Sequence, residues 1–303
     1  MSVKTAKAVI NGQTVTLTFN DGTKRWEATV TAPAKSSYTQ EGHYYGVQIT
    51  ATDDAGNATT ADATHETLGP SLQLRVKEKV APVIVITYPT ASAMITNNKP
   101  VITWKVTDED SGVNPDTIGI TIDTGAKVVG EKITKEAVSG GYECSYTPET
   151  PLADGSHTVK IDASDNDGNA AIQKSVTFKV DTVAPTLSLT SPANDMVTNQ
   201  ASCTVSGVTN DATSSPVTVT VKLNSGSAEP VTVDQGGKFT KTLTLIQGVN
   251  TITVVATDSA GKSTTVTRTV TLDTGAPVIR SVKITPNPVD AGATYVISVE
   301  IED

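Results

Sequence analysis

Few side chains in this sequence could carry nucleophilic, acid–base or zinc chemistry. The three histidines are His43, His65 and His157, and the two cysteines are Cys144 and Cys203. No two histidines have the spacing of zinc ligands, and neither cysteine is placed to join them. The sequence also lacks a G-x-S-x-G nucleophile elbow and a glycine-rich phosphate loop between a strand and a helix. We therefore expect no catalytic residue, no organic cofactor and no enzymatic activity.

Clustered carboxylates are the stronger candidates for binding chemistry. Asp162, Asp165 and Asp167 surround the tip of one hairpin, with two asparagines beside them. Oxygen ligands at this density suit calcium, so these three aspartates are the candidate metal ligands. A second acidic run, Asp-Glu-Asp at 108–110, follows a strand. The bidentate glutamate that closes a calcium loop is missing, and turns favour the same residue types, so solvated turns are the alternative.

Three tyrosines near the first hairpin could form a surface for carbohydrate. They are Tyr38, Tyr44 and Tyr45. Aromatic rings also fill cores and pack along strands, which is the alternative interpretation of the same cluster.

The acidic hairpin belongs to an element that occurs three times. It reads EGHYYGVQITATDDAGN at 41–57, DGSHTVKIDASDNDGN at 154–169 and QGVNTITVVATDSAGK at 247–262. In the second copy, Val159, Ile161 and Ala163 alternate with Lys160 and Asp162, which predicts a strand with one buried face. The Asp-x-x-Gly tip that follows predicts a turn, because glycine tolerates the positive φ that such turns require.

A second recurrent element predicts the domain boundaries. The Ala-Pro pairs at 81–82, 184–185 and 276–277 each precede a short apolar run and a further proline. The distances from Pro82 to Pro185 and from Pro185 to Pro277 are 103 and 92 residues. This is the size of an immunoglobulin-like β-sandwich, with about seven strands in ~100 residues. We expect an all-β chain of tandem immunoglobulin-like domains, and the short proline-containing joins predict an elongated rod. The expected domains are 1–80, 81–181, 182–275 and 276–303.

Composition and charge exclude several classes of partner. The 303 residues carry a formal net charge of −9, with 37% hydrophobic and 4% aromatic residues. No basic patch is present for nucleic acid or anionic lipid. No stretch reaches the ~18–20 apolar residues of a membrane span, and the opening MSVKTAKAVI lacks the apolar core of a signal peptide. Each cysteine lies at a strand-like position in a different repeat, which predicts a buried, unpaired thiol.

The two ends of the sequence match different parts of the 81–181 repeat. The segment VKTAKAVINGQTVTLTF matches its middle, so domain 1–80 is expected to lack its first strands, whereas VISVEIED near the C-terminus matches VITWKVTDED at 101–110. One interpretation is a boundary that falls within a domain, or a frayed terminal segment. The other is head-to-tail self-association, in which residues 276–303 of one molecule complete the N-terminal domain of the next.

Several motifs together resemble bacterial immunoglobulin-like (Big-type) repeats. They are the Ala-Pro join, the Ile-Thr-Asn and Val-Thr-Asn steps at 95–97 and 197–199, and the Asp-x-x-Gly-Asn hairpin. The opening block and the ending PNPVDAGATYVISV also resemble structural, tail-associated proteins of phages and prophages. This second resemblance implies a virion component whose partners are other virion proteins or a host surface glycan or protein. The alternatives are the stalk of a bacterial cell-surface adhesin, located at the cell surface or outside the cell, and a glycan-binding module.

Overall fold

The computed structural model describes residues 2–303 and is built almost entirely of β-strands. The chain divides into two compact units, Met1–Val180 and Asp181–Asp303. No helix in the described part of the chain is long and apolar enough to cross a membrane. The all-β prediction is confirmed.

The first domain forms a single antiparallel sheet. Its strands are β1 (Val3–Ile10), β2 (Gln13–Asn20), β3 (Arg25–Glu27), β4 (Tyr45–Asp53), β5 (Ala58–Ala61) and β6 (Gln73–Leu74), with short 3₁₀ segments at Glu41–His43 and Gly69–Leu72. The strand order is β3-β2-β1-β4-β5, and β6 pairs with β4. Its buried apolar residues are few, and they include Ala6, Ala8 and Tyr45.

The second domain is a two-sheet sandwich. Its strands are β7 (Val83–Tyr88), β8 (Met94–Ile95), β9 (Ile102–Thr107), β10 (Val113–Ile122), β11 (Val128–Val129), β12 (Thr134–Val138), β13 (Gly141–Tyr146), β14 (Gly155–Asp165) and β15 (Lys174–Val180), with a 3₁₀ segment at Gly130–Lys132. One sheet has the order β11-β10-β14-β15-β8 and the other β12-β13-β9-β7. Trp104 and Phe178 are each 1% exposed in the core between them. The predicted alternation in β14 is confirmed, since Val159, Ile161 and Ala163 are buried.

The third domain repeats this plan. Its strands are β16 (Thr186–Ser191), β17 (Met196–Thr198), β18 (Ser202–Asn210), β19 (Thr218–Leu223), β20 (Glu229–Val231), β21 (Lys238–Thr244), β22 (Gly248–Thr257) and β23 (Ser263–Leu272). The sheets have the orders β16-β18-β21 and β17-β23-β22-β19-β20. Val205, Phe239 and Val254 lie in the core between them. The predicted turns hold in both sandwiches, because Gly168 and Gly261 adopt φ values of +95° and +86°.

Residues 276–303 form a separate two-stranded hairpin. It consists of β24 (Val278–Thr285) and β25 (Val296–Glu302). Its register pairs Val278 with Glu302, as Val83 pairs with Thr107 in the second domain. All residues of the hairpin are exposed, including Val282 and Ile297.

Candidate functional site

Three buried aspartates of the third domain converge on one point. Asp181 lies just before the segment that leads to β16, Asp211 follows β18, and Asp258 follows β22. Their exposed fractions are 0%, 8% and 6%. One carboxylate oxygen from each lies within 4.8 Å of those from the other two. Buried carboxylates repel one another unless a proton or a cation neutralises them, so this cluster is the candidate functional site.

Backbone hydrogen bonds hold the first two carboxylates in place. Oδ1 of Asp211 accepts the Thr213 and Ser214 amides at 2.8 and 2.7 Å, as a residue that opens a turn does. Burial by itself would raise the pKa of Asp211, but the bonds from Ser214 and Thr213 outweigh it and hold the pKa below its usual range. Asp181 accepts the Val183 amide on Oδ1, and the Ser214 hydroxyl donates to Oδ2.

Asp258 has one oxygen bound and one without a partner. Its Oδ1 accepts the amides of Ala260 and Lys262, both at 2.9 Å, which fixes the β22–β23 turn. Its Oδ2 is buried and has no hydrogen-bond partner. An unpartnered buried carboxylate oxygen is costly, so each one needs a physical explanation.

The second domain has an equivalent cluster of Glu78, Asp108 and Asp165, again within 4.8 Å of one another. Oδ1 of Asp108 accepts the Asp110 and Gly112 amides at 3.1 and 2.8 Å. Both oxygens of Asp165 accept hydrogen bonds from Asn169, and Oε1 of Glu78 accepts the Ser111 amide at 2.7 Å.

The register of the strands shows that the two clusters are equivalent. Val83 and Thr186 directly follow the prolines of the two joins, and they pair with Thr107 and Asn210. Asp108 and Asp211 are the next residues after these partners, so they occupy equivalent positions. Glu78 and Asp181 each stand four residues before that proline, and Asp165 and Asp258 begin equivalent turns.

Of the three predicted calcium ligands, the structure brings one into a carboxylate cluster. Asp165 is a member of the Glu78 cluster. Asp162 lies on β14, where it accepts a hydrogen bond from Gln173 at 2.8 Å and pairs with Lys127 at 3.6 Å. Asp167 accepts hydrogen bonds from the Ser36 hydroxyl and the Glu78 amide, at 2.6 and 3.0 Å. Calcium binding by these three residues stays a prediction.

Sequence reasoning missed Glu78, Asp181, Asp211 and Asp258. Members of each cluster come from three distant segments, so no local motif shows them. One signal was present, because an acidic residue stands four positions before each join proline at Glu78, Asp181 and Asp273.

The histidines, cysteines and tyrosines take mostly structural positions. His157 is 8% exposed within β14, and its Nδ1 and Nε2 face Asp123 and the Ala153 carbonyl at 2.8 and 2.7 Å. Both cysteines are buried and free, and burial raises the pKa of the Cys144 thiol to about 11.

Two of the three tyrosines contact other residues of the first domain. Tyr45 is buried, and its hydroxyl donates to the Lys35 carbonyl. The Tyr38 ring stacks on His43, with ring centroids 4.3 Å apart. For Tyr45 the interpretation as a surface aromatic is wrong, because its ring lies in the core.

Two parts of the chain match known domain families. Residues 90–182 match the family described as bacterial Ig-like domain, and residues 185–274 match glucodextranase, domain B. This chain is an immunoglobulin-like repeat protein. No curated protein sequence matches it.

The repeat protein is also similar to solved structures of tandem domains. The fibronectin(III)-like modules of Clostridium thermocellum CbhA are 16% identical, with a TM-score of 0.35, over 63% of this chain and 94% of that chain. A tandem of titin domains is 14% identical, with a TM-score of 0.41, over 88% and 86%. Sidekick-1 immunoglobulin domains 1–5 are 9% identical, with a TM-score of 0.40, over 99% and 60%.

Proposed function

We propose that this protein is a non-enzymatic structural component that holds other bodies apart and transmits tension between them. In its more specific form, the proposal is a virion or tail-associated component of a phage with a role in surface adhesion. Tandem immunoglobulin-like domains suit such a role, although the same fold serves many functions, so the proposal rests on particular contacts.

The joint between the first and second domains carries the proposal. Ser36 is fully buried, and it donates its amide to Asp110 Oδ1 at 3.0 Å and its hydroxyl to Asp167 Oδ2 at 2.6 Å. The ammonium of Lys77 donates to the Asp167 carbonyl at 3.1 Å. Two segments of the first domain are thus bonded to two loops of the second, one at Asp110 and one at Asp167. A hydrogen-bonded joint of this kind resists bending better than a free linker.

The connecting residue Glu78 adds a second set of bonds. Its amide donates to Asp167 Oδ2 at 3.0 Å, and its carbonyl accepts from Asn169 at 3.3 Å. Its carboxylate accepts the Ser111 amide. Backbone and side chain of one residue therefore bind both loops that face the joint.

Each complete sandwich also contains a parallel strand pair close to its ends. In the second domain β8 pairs in parallel with β15, and in the third domain β17 pairs in parallel with β23. When the ends of a domain are pulled apart, the hydrogen bonds of such a pair are loaded together rather than one after another. This arrangement favours resistance to tension.

The side chains available for catalysis support the non-enzymatic part of the proposal. His157 is the one buried histidine of the described residues, and both its ring nitrogens already face acceptors. Neither cysteine is placed as a nucleophile, because burial raises the pKa of both thiols and keeps them protonated at neutral pH.

Spin labels across the joint test the structural role. Labels are attached to exposed residues of the two domains as Thr14→Cys and Thr134→Cys, while the buried native thiols stay unlabelled. We expect a narrow distance distribution that Asp167→Ala broadens, because Ser36 and Glu78 lose their shared acceptor. Asp116→Ala, at an exposed aspartate of the same domain, is the matched control and should leave the distribution narrow. A broad distribution in the unmodified chain would contradict the proposal.

The cellular location separates the virion from the adhesin stalk. An antibody against the purified chain should label phage particles isolated from a lysate of the source cells. Labelling of the cell envelope alone would favour the stalk instead.

The stacked ring of Tyr38 favours glycan binding as the second candidate function. Its exposed fraction is 36%, and the neighbouring Tyr44 is half-buried. The candidate predicts binding on a glycan array that Tyr44→Ala weakens. Absence of binding to every glycan on the array would eliminate it.

Head-to-tail self-association is proposed from the exposed hairpin β24–β25. Val282, Ile284 and Val299 are among its apolar residues in contact with solvent. The partner we propose is the first domain of a second copy, whose described strands form one sheet where the second and third domains have two. Light scattering over a range of concentrations should show growth for residues 1–303 and none for residues 1–275. A full chain that stays monomeric at high concentration would rule this out.

A further inference from the structure

The Asp181–Asp211–Asp258 cluster has no side-chain cation to balance it. Of the lysines and arginines in the described chain, none forms an ion pair with any of these three carboxylates. Carboxylates forced together at low exposure cannot all ionise without a counter-charge. Either a proton or a bound cation must therefore complete the cluster.

Several ligand atoms are already held in position. Oδ1 of Asp211 and Oδ1 of Asp258 are each fixed by two backbone amides, which sets the direction of each carboxylate. In an ordinary solvated turn, the second carboxylate oxygen of the aspartate faces water. The second oxygen of Asp258 is buried instead and has no hydrogen-bond partner.

The ligand chemistry favours a hard divalent cation. All three side chains offer oxygen, and no histidine or cysteine belongs to the cluster. Calcium binds carboxylate oxygens at ~2.3–2.6 Å, so ligand atoms on one ion lie at most about 5 Å apart, which the cluster's spacing satisfies. Zinc, by contrast, prefers nitrogen and sulfur ligands.

We propose that Asp181, Asp211 and Asp258 bind a divalent cation of the calcium type. The ion fixes the segment before Ala184 against the loop after β18 and against the β22–β23 turn. These three segments are far apart in sequence, so one ion would link them to one another at the end of the third domain where its first strand begins.

The second domain independently repeats the arrangement. The ligand oxygens of its cluster also lie within 4.8 Å of one another, and the hydroxyl of Ser111, whose amide donates to Glu78, is buried with no hydrogen-bond partner. Ser111 is equivalent to Ser214, three residues after Asp108 and Asp211, whereas both oxygens of Asp165, the equivalent of Asp258, accept hydrogen bonds. The convergence of three carboxylates is therefore the feature that recurs in both domains.

Calcium titration of the full chain, freed of metal by a chelator, tests the proposal. Calorimetry should show one calcium fewer per chain for Asp258→Asn than for the wild type. Asp234→Asn is the matched control. Like Oδ1 of Asp258, Oδ1 of Asp234 accepts the amides two and four residues later, those of Gly236 and Lys238, both at 2.8 Å, but Asp234 lies in an exposed hairpin. This control should bind as many ions as the wild type.

Thermal unfolding and hydrogen exchange give a second readout if Asp258→Asn alters folding. Saturating calcium should raise the transition of the third domain by on the order of 10 °C in the wild type, and much less in Asp258→Asn. In chelator the variant should be at least as stable as the wild type, because one of the repelling charges is gone. Calcium should also slow amide exchange at 211–216 and 258–262.

Three results would overturn the proposal. They are a wild type that binds no calcium, an Asp258→Asn variant that binds as many ions as the wild type, and stabilisation by acid alone with no effect of calcium. The last result would assign a shared proton to the cluster.

Discussion

Deprotonation of His157 should destabilise the second domain as the pH rises. Nε2 of His157 faces a carbonyl, which can only accept, and Nδ1 faces the Asp123 carboxylate, so the charged imidazolium fits both partners. Burial by itself would lower the pKa of His157, but the bonds to Ala153 and Asp123 outweigh it and hold the pKa above 6.5. The charged form is therefore favoured in the folded state.

The sign of the effect follows from this raised pKa. The charged His157 stabilises the second domain fully below the pKa of the unfolded state, about 6.5. This stabilisation is lost as the pH rises through the higher pKa of His157 in the folded state. A hydrogen bond to a charged group contributes ~1.5–3 kcal/mol. Because the Asp123 side chain is 41% exposed, solvent screens the pair. We therefore expect a loss of about 1–2 kcal/mol, or roughly 5–10 °C in Tm for a domain of this size.

Calorimetry between about pH 5.5 and pH 8.5, the range in which histidines titrate, is the assay. The transition of the second domain should shift in the wild type and not in His157→Gln. The transition of the third domain is an internal control, because residues 181–303 contain no histidine. An equal shift in the variant, or none in the wild type, would show that His157 does not cause the pH dependence.

Two further predictions concern packing. Gly237→Ala should destabilise the third domain by about 2–4 kcal/mol in urea unfolding, because its Cβ would lie 1.9 Å from the Thr209 carbonyl at a φ of +76°. Gly261→Ala, with a φ of +86° and nothing within 4 Å, should cost only about 1 kcal/mol, and equal costs would contradict the assigned clash. Both cysteine thiols should react with a disulfide reagent only after denaturation, because burial raises their pKa values. Rapid reaction of either thiol in the native protein would show that it is accessible.

The sequence predicted most of the fold because the strands of the second and third domains bury one face in the core of their own domain. Alternation of apolar residues at 159–163 follows directly from burial of one strand face. Pro82 and Pro185 directly precede β7 and β16. Trp104 lies in a similar alternating stretch, between Ile102 and Val106, and it is 1% exposed.

The candidate site was harder to predict because it is not local. Asp165 was identified from its hairpin, whereas its partners Glu78 and Asp108 lie at sequence distances of 87 and 57 residues. Only the pairing register of the sheets brings such residues together. Asp162 and Asp167 share the hairpin in sequence, but strand alternation and the joint direct them to other partners.

Pulling a single molecule of residues 1–303 by its two ends is the most direct test of the proposed structural role. We expect the first domain, whose described strand pairs are all antiparallel, to yield at low force. The second and third domains should then unfold in two separate events at higher force, each releasing roughly 30 nm of chain at ~3.6 Å per residue. Extension of all domains together, or without measurable resistance, would contradict the claim that the chain transmits tension.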